Sequence, residues 1–181
     1  MGAGVAGVRT AESLRRLGHD GELVVIDGDK EPPYNRPPLS KEFITGELDE
    51  QDIRLLAPET VAELDIELRL GTWAQGLRPD RKVIDTSGGP LGFDGLVIAT
   101  GSVPVVPADW ARLGNVTALR TLDDARAVRA ALERAPRVVV VGGGFIGCEI
   151  AASLRQLGAE VTLVEAAPGL ITPAVGAHLL N

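Results

Sequence analysis

One pattern occurs twice in this chain, and no other feature constrains its fold as much. The first copy runs Gly2-Ala3-Gly4-Val5-Ala6-Gly7 and continues through Ser13-Leu14-Arg15-Arg16-Leu17-Gly18. The second runs Gly142-Gly143-Gly144-Phe145-Ile146-Gly147 and continues through Ser153-Leu154-Arg155-Gln156-Leu157-Gly158. At an offset of 140, nine of seventeen aligned positions are identical, including all three glycines of each GxGxxG. Each copy reads as a helix closed by a glycine, Gly18 or Gly158, suited to the left-handed position past a helix end. A β-rich run ending in an acid follows: Leu23-Val24-Val25-Ile26-Asp27 in one copy, Val161-Thr162-Leu163-Val164-Glu165 in the other. The last glycine precedes Asp27 by 20 residues and Glu165 by 18.

This spacing is the dinucleotide-binding fingerprint. The first glycine permits a tight turn, the second lets backbone approach a pyrophosphate, and the third lets helix and strand pack closely. The helix N-terminus then faces the phosphates with its N–H groups and partial positive charge. The acid ending the second strand accepts hydrogen bonds from the adenosine ribose. One GxGxxG alone is weak evidence, but the helix, strand and acid repeat with it. The carboxylate of Glu165 favours ribose hydroxyls and repels a 2′-phosphate. No arginine stands in Ala166-Ala167-Pro168, so NADH is expected over NADPH at the second copy. The expected fold class is α/β, with two Rossmann-like dinucleotide-binding domains.

Composition narrows the remaining choices. Eighteen Lys+Arg against 25 Asp+Glu give a net charge of −7, and no basic face with interleaved aromatics is present, so no nucleic-acid partner is expected. One cysteine, Cys148, provides neither a disulfide framework nor a CxxC pair. His19 and His178 are far apart, neither with a ligand at metal-site spacing, so no metal site is expected. The longest apolar run, 138–141, is too short to cross a bilayer, and no cleavable signal precedes residue 2. A soluble, cytoplasmic protein without a membrane partner is expected.

Between the copies, Pro37-Pro38 in Tyr34-Asn35-Arg36-Pro37-Pro38-Leu39-Ser40-Lys41 suits a helix start and puts Ser40 and Lys41 in a first helical turn. Lysine is unfavourable there unless something negative lies nearby. Strands are expected over 65–70, 82–86 and 95–99, with turns at Pro79-Asp80 and Gly88-Gly89-Pro90. Gly101 follows Ala99-Thr100 where a ligand could approach, and Trp73 and Trp110 read as packing residues. Thr121-Leu122-Asp123-Asp124 reads as a capping box opening a helix to about Glu133. Arg137-Val138-Val139-Val140-Val141 reads as a buried parallel strand. Proline and turn residues cluster at 104–114. The boundary is set there, dividing the chain into 1–107 and 108–181, each with one glycine motif.

Taken in order, Gly2–Gly7, Arg36-Pro37-Pro38-Leu39-Ser40-Lys41, Ala99-Thr100-Gly101 and Gly142–Gly147 resemble the FAD-dependent, NADH-linked ferredoxin reductases of oxygenase and cytochrome P450 chains. The resemblance covers essentially the whole chain, and the Arg-Pro-Pro-Leu-Ser-Lys stretch is its most specific part. It implies FAD at Gly2, Gly4 and Gly7, and NADH at Gly142, Gly144 and Gly147. It also implies that Lys41 lies beside the flavin, that Arg36 helps hold FAD, and that Thr100 and Gly101 make a second flavin contact. Glu149, two residues after the last glycine of the second motif, would pair with Lys41. The ribose acid on the flavin side falls on Asp27 by spacing, or on Asp29 by anchoring on Pro33-Tyr34. The implied reaction passes a hydride from NADH to FAD and then single electrons to a ferredoxin-type iron–sulfur protein.

Two further expectations follow. The second glycine loop has a valine strand before it, whereas the first begins at residue 2, and the chain stops sixteen residues after Glu165. It therefore reads as the front of a longer reductase, lacking the first strand of its FAD domain and most of its NAD domain. Alone it is expected to be marginally stable and catalytically silent, since each buried unpaired backbone group costs roughly 1–3 kcal/mol. The alternatives are an apoptosis-inducing-factor-like flavoprotein, another NADH oxidoreductase, or a nucleotide-binding module without turnover. The last of these has no need of a Lys41–Glu149 pair.

Overall fold

Both copies of the repeat adopt the same local structure. The computed structural model describes residues 1–133 and 137–171. His178 lies outside them. In chain order the elements are α1 (Val5–Arg16), β1 (Val24–Ile26), α2 (Glu42–Thr45), α3 (Pro58–Glu63), β2 (Glu67–Arg69), β3 (Ala74–Arg78), β4 (Val83–Thr86), β5 (Gly89–Gly92), α4 (Leu122–Leu132), β6 (Arg137–Val141), α5 (Phe145–Gln156) and β7 (Glu160–Val164).

Helices α1 and α5 start after Gly4 and Gly144, and neither has a side-chain cap. Both end in a paired-carbonyl cap. The N–H of Gly18 donates to Arg15 O and that of His19 to Leu14 O, as Gly158 does to Arg155 O and Ala159 to Leu154 O. Gly18 and Gly158 sit at φ 89° and 88°, where a side chain would be strained. Even the arginine is reused: Nη1 of Arg15 donates to His19 O, and Nη1 of Arg155 to Ala159 O.

The chain divides into two compact units that interleave. One comprises Met1–Asn35 with Ile53–Val103, the other Arg36–Asp52 with Pro104–Asn181. The expected cut after residue 107 leaves 36–52 with the first unit, whereas these residues cluster with the second. The excursion is closed by backbone: Asn35 N–H donates to Ile53 O at 2.7 Å, and Leu55 N–H to Pro33 O at 2.8 Å.

In the first unit β1 pairs in parallel with β2, Val25 opposite Leu68. Helix α1 lays Val8 and Ala11 against Ala3, Val25, Leu56 and Ile66. Burying a side chain the size of Val8 stabilises by about 1.5–3 kcal/mol. Strands β3, β4 and β5 form an antiparallel sheet in that order, with Pro90 in edge strand β5 opposite Asp85. A proline, which has no N–H, is tolerated at such an edge.

Residues 95–99 differ from the expectation: they form no strand. The Val97 carbonyl and the Ala99 N–H both bond to Met1, at 2.9 and 2.8 Å. A single bracketed residue is not a ladder. Val97 and Ile98 are exposed.

In the second unit β6, α5 and β7 make a parallel crossover, with Arg137 opposite Glu160 and Val141 opposite Val164. The strand over 137–141 falls where expected, yet it is buried on one side only. Val140 is 9% exposed while Val139 and Val141 are 63% and 57% exposed. Among the described residues, nothing covers the second face. Thr121 and Asp124 form the expected capping box, and α4 follows it. Helix α2 packs on α4 and α5, burying Phe43 and Ile44. The Arg129 guanidinium lies over the Phe43 ring, 5.5 Å from its centre.

Three smaller expectations also change. Pro37–Ser40 is a tight 3-10 turn, so Lys41 falls at the break between that turn and α2 rather than inside a helix. The turns fall where expected but differ in extent: Pro79-Asp80 lies in a short 3-10 helix that reverses the chain between β3 and β4, closed by Lys82 N–H to Pro79 O, and Gly88 is in the tight β4–β5 turn, with Gly89 and Pro90 already in β5. Neither tryptophan is buried; Trp73 is 63% exposed, with its indole against Gly28.

Candidate active site

The two glycine loops are built by space as much as by backbone angle. A Cβ at Gly7 would lie 1.8 Å from Gly2 O, and one at Gly147 would lie 1.8 Å from Gly142 O. Both third glycines are therefore required by close packing. Gly2 and Gly142 take positive φ, 97° and 104°, and a Cβ on Gly2 would also lie 2.2 Å from Ala99 O. The middle glycines differ: Gly4 and Gly144 have ordinary φ of −72° and −75°. A Cβ at Gly144 would meet nothing within 4 Å. Neither conformation nor packing inside the protein explains that glycine. It leaves room beside an uncapped helix start, as a bound pyrophosphate needs.

Each loop is tied to the acid of the following strand. Gly2 N–H donates to Ile26 O and Gly142 N–H to Val164 O, both at 2.8 Å. Ala3 N–H donates to Asp27 Oδ2, and Gly143 N–H to Glu165 Oε2, both at 2.5 Å. Asp27 thus occupies in the first unit the place that Glu165 occupies in the second. Asp29 is placed differently, accepting from the Tyr34 hydroxyl at 2.8 Å and from Glu31 N–H. Backbone donors hold the Glu165 carboxyl below its ordinary pKa, Ala167 N–H first and Gly143 N–H next. It is therefore charged at neutral pH.

Residues 99–101 run beside the first loop. Gly101 takes φ 68°, which only glycine adopts without strain, and Thr100 is exposed. Half-buried Arg36 directly precedes the Pro37–Ser40 turn.

Lys41 and Glu149, 108 positions apart in sequence, meet within the second unit. Lys41 Nζ lies 3.4 Å from Glu149 Oε1, and both side chains are partly exposed. The other carboxylate oxygen accepts from Ser40 Oγ at 2.5 Å, and Ser153 Oγ donates to Ser40 O at 2.8 Å. Sequence reasoning gave neither serine a role. The available signal was the i, i+4 spacing of Glu149 and Ser153, which puts both on one face of α5. At the position of Glu149 the first copy has Arg9, which pairs with Glu12 one turn on. The shared scaffold therefore carries a different charge in each unit.

Comparison with known proteins accounts for this architecture. A sequence model of the pyridine nucleotide-disulphide oxidoreductase family matches residues 1–180, and the chain belongs to that family. Among relatives, terpredoxin reductase of Pseudomonas sp is 38% identical over 175 residues, covering 97% of this chain and 42% of that protein. The ferredoxin–NAD(+) reductase subunit of the Pseudomonas putida benzene 1,2-dioxygenase system is 36% identical over 181 residues, covering 99% and 44%. The crystal structure of the covalent putidaredoxin reductase–putidaredoxin complex matches with a TM-score of 0.90 at 34% identity, covering 97% of this chain and 43% of that one. The chain thus spans less than half the length of these relatives. Among the described residues, no helix is long and apolar enough to cross a membrane.

Proposed function

We propose that this protein is a cytoplasmic flavoprotein oxidoreductase. It takes electrons from NADH through FAD to a small ferredoxin-type iron–sulfur protein serving an oxygenase or cytochrome P450. The observation that carries this reading is the meeting of Lys41 with Glu149 in a chain that also has two acid-tied glycine loops. Relatives named as reductases of terpredoxin and of a dioxygenase ferredoxin support the choice of acceptor.

The room at Gly144 and the uncapped starts of α1 and α5 fit two dinucleotides. Gly2, Gly4 and Gly7 would hold FAD with Arg36, Thr100 and Gly101, and Gly142, Gly144 and Gly147 would hold NADH. Asp27 would take the FAD ribose because it stands where Glu165 stands; Asp29 is the alternative. FAD, if held there, would supply the redox chemistry, taking two electrons as hydride and passing them on singly. The protein would orient both cofactors, and the Lys41 ammonium, faced by Glu149, would stabilise negative charge developing nearby.

The test is the visible spectrum of the purified protein after incubation with FAD and removal of free flavin. In a protein that carries these residues at the full length of the relatives, a retained flavin band that NADH bleaches, followed by reduction of an added ferredoxin, is the expected result, whereas the 181 residues alone are expected to show no turnover. A full-length protein that keeps no flavin would sink the reading. Cofactor choice is tested separately. Glu165→Ala is expected to cut the preference for NADH over NADPH about tenfold, equivalent to about 1.4 kcal/mol of lost discrimination. An unchanged ratio of kcat/KM values would remove Glu165 from that role.

A further inference from the structure

Among the described residues, Ser40 and Ser153 are the buried small polar side chains, at 5% and 6% exposure. A buried hydroxyl is costly unless bonded, so its partner says what it is for. The Ser40 hydroxyl has two acceptors in reach: Glu149 Oε2 at 2.5 Å and Pro37 O at 3.5 Å. The carboxylate wins on distance and on charge. Lys41, by contrast, holds the carboxylate weakly. Its 3.4 Å separation from Oε1 is long for a charge-assisted bond, whose usual range is about 2.7–2.9 Å. Its side chain is also 40% exposed, and such pairs contribute little by themselves. It is therefore Ser40 that fixes the carboxylate.

Ser40 is itself fixed from the same helix face. Glu149 and Ser153 stand four residues apart on α5, one accepting the Ser40 hydroxyl and the other donating to the Ser40 carbonyl at 2.8 Å. The turn that ends at Ser40 is thus held at two points, and Lys41 is the next residue. The matching positions in the first copy are Arg9 and Ser13, of which Arg9 carries the opposite charge and Ser13 is not buried. The arrangement belongs to the second unit alone.

We infer that Ser40 is a positioning residue for the Lys41–Glu149 pair. Its hydroxyl orients the Glu149 carboxylate so that Oε1 faces the Lys41 amine, and the bond from Ser153 sets the turn from which it does so. This inference rests on the reading of Lys41 and Glu149 as the charged pair serving the flavin.

Two readouts test it. The first needs no cofactor: a double-mutant cycle of Ser40→Ala and Glu149→Ala, followed by thermal unfolding. The double variant should lose clearly less Tm than the two single losses added together; strict additivity overturns the inference. The second is single-turnover flavin reduction by NADH in the FAD-loaded protein. Ser40→Ala should lower the limiting rate about tenfold while half-saturation by NADH moves less than about threefold. Ser40→Cys fills the site at least as fully but donates only weakly, so it should resemble Ala, and Ser40→Thr should restore the rate. A wild-type rate in Ser40→Cys alongside a slow Ser40→Ala would mean packing alone and overturn the inference. So would a slow Lys41→Ala beside an unaffected Ser40→Ala. If the cycle shows coupling while Lys41→Ala and Glu149→Gln both reduce flavin normally, the flavin reading fails and the hold of Ser40 on Glu149 stands.

Discussion

Gly147→Ala is expected to destabilise the protein severely, whereas Gly144→Ala, three residues earlier, leaves it folded but unable to hold NADH. The contrast follows from what each added methyl would meet. At Gly147 it would lie 1.8 Å from the Gly142 carbonyl oxygen and 3.0 Å from its carbon, both main chain and unable to swing aside. Overpacking of this kind costs about 3 kcal/mol or more, a large share of a domain's roughly 5–15 kcal/mol. A Tm lower by roughly 6–12 °C is the corresponding shift for a chain of this size. At Gly144 the methyl would meet nothing within 4 Å, and φ of −75° suits alanine. The lost preference for glycine over alanine at a helix start and the gain from a stiffer unfolded chain offset each other. Its Tm should therefore stay within about 2 °C. NADH affinity should fall at least tenfold, because the methyl occupies the approach that the pyrophosphate needs. Thermal unfolding by circular dichroism and a direct NADH titration check both halves. Normal NADH binding by Gly144→Ala would remove that loop from the cofactor site.

In a protein carrying this chain at the full length of its relatives, Lys41→Ala is expected to slow flavin reduction by NADH between about tenfold and a hundredfold, which is about 1.4–2.7 kcal/mol of lost transition-state stabilisation. Its stability should barely change. The ion pair with Glu149 is long and partly exposed, and such pairs contribute about 0–1 kcal/mol. This separation of rate from stability makes the variant informative, since a lysine that merely decorates the surface would change neither. Stopped-flow absorbance at the flavin band, with Tm measured on the same preparation, decides it. An unaltered rate would take Lys41 out of the mechanism.

Different parts of this molecule were legible in the sequence to different degrees. The helix ends at Gly18 and Gly158 were legible because a left-handed residue past a helix end is a local requirement. The capping box at Thr121 and Asp124 was legible for the same reason, as its hydrogen bonds close within four residues. Strand β6 was placed to the residue, yet its burial was overestimated. Hydropathy reports what a segment could bury, and only neighbouring elements decide which of its faces is covered. Residues 95–99 have the composition of a strand, but their hydrogen bonds converge on Met1 and do not continue as a ladder.

The site divides along the same line. By itself, the sequence determined the two glycine loops, the acids that answer them and the helices that they start. Each of these is a bargain among residues at most about two dozen positions apart, written in steric room and backbone angle. The repeat already aligned Asp27 with Glu165, and the tertiary structure added the matching hydrogen bonds, from Ala3 N–H to Asp27 and from Gly143 N–H to Glu165, while Asp29 faces Tyr34. Only the tertiary structure showed that 36–52 clusters with the second unit and that Ser40 and Ser153 join the Lys41–Glu149 pair, which the resemblance had implied. Those contacts span 108 to 113 positions. No local propensity encodes such a meeting; it exists because α2 and the turn before it bury their apolar side chains against α5, which carries the polar residues into register.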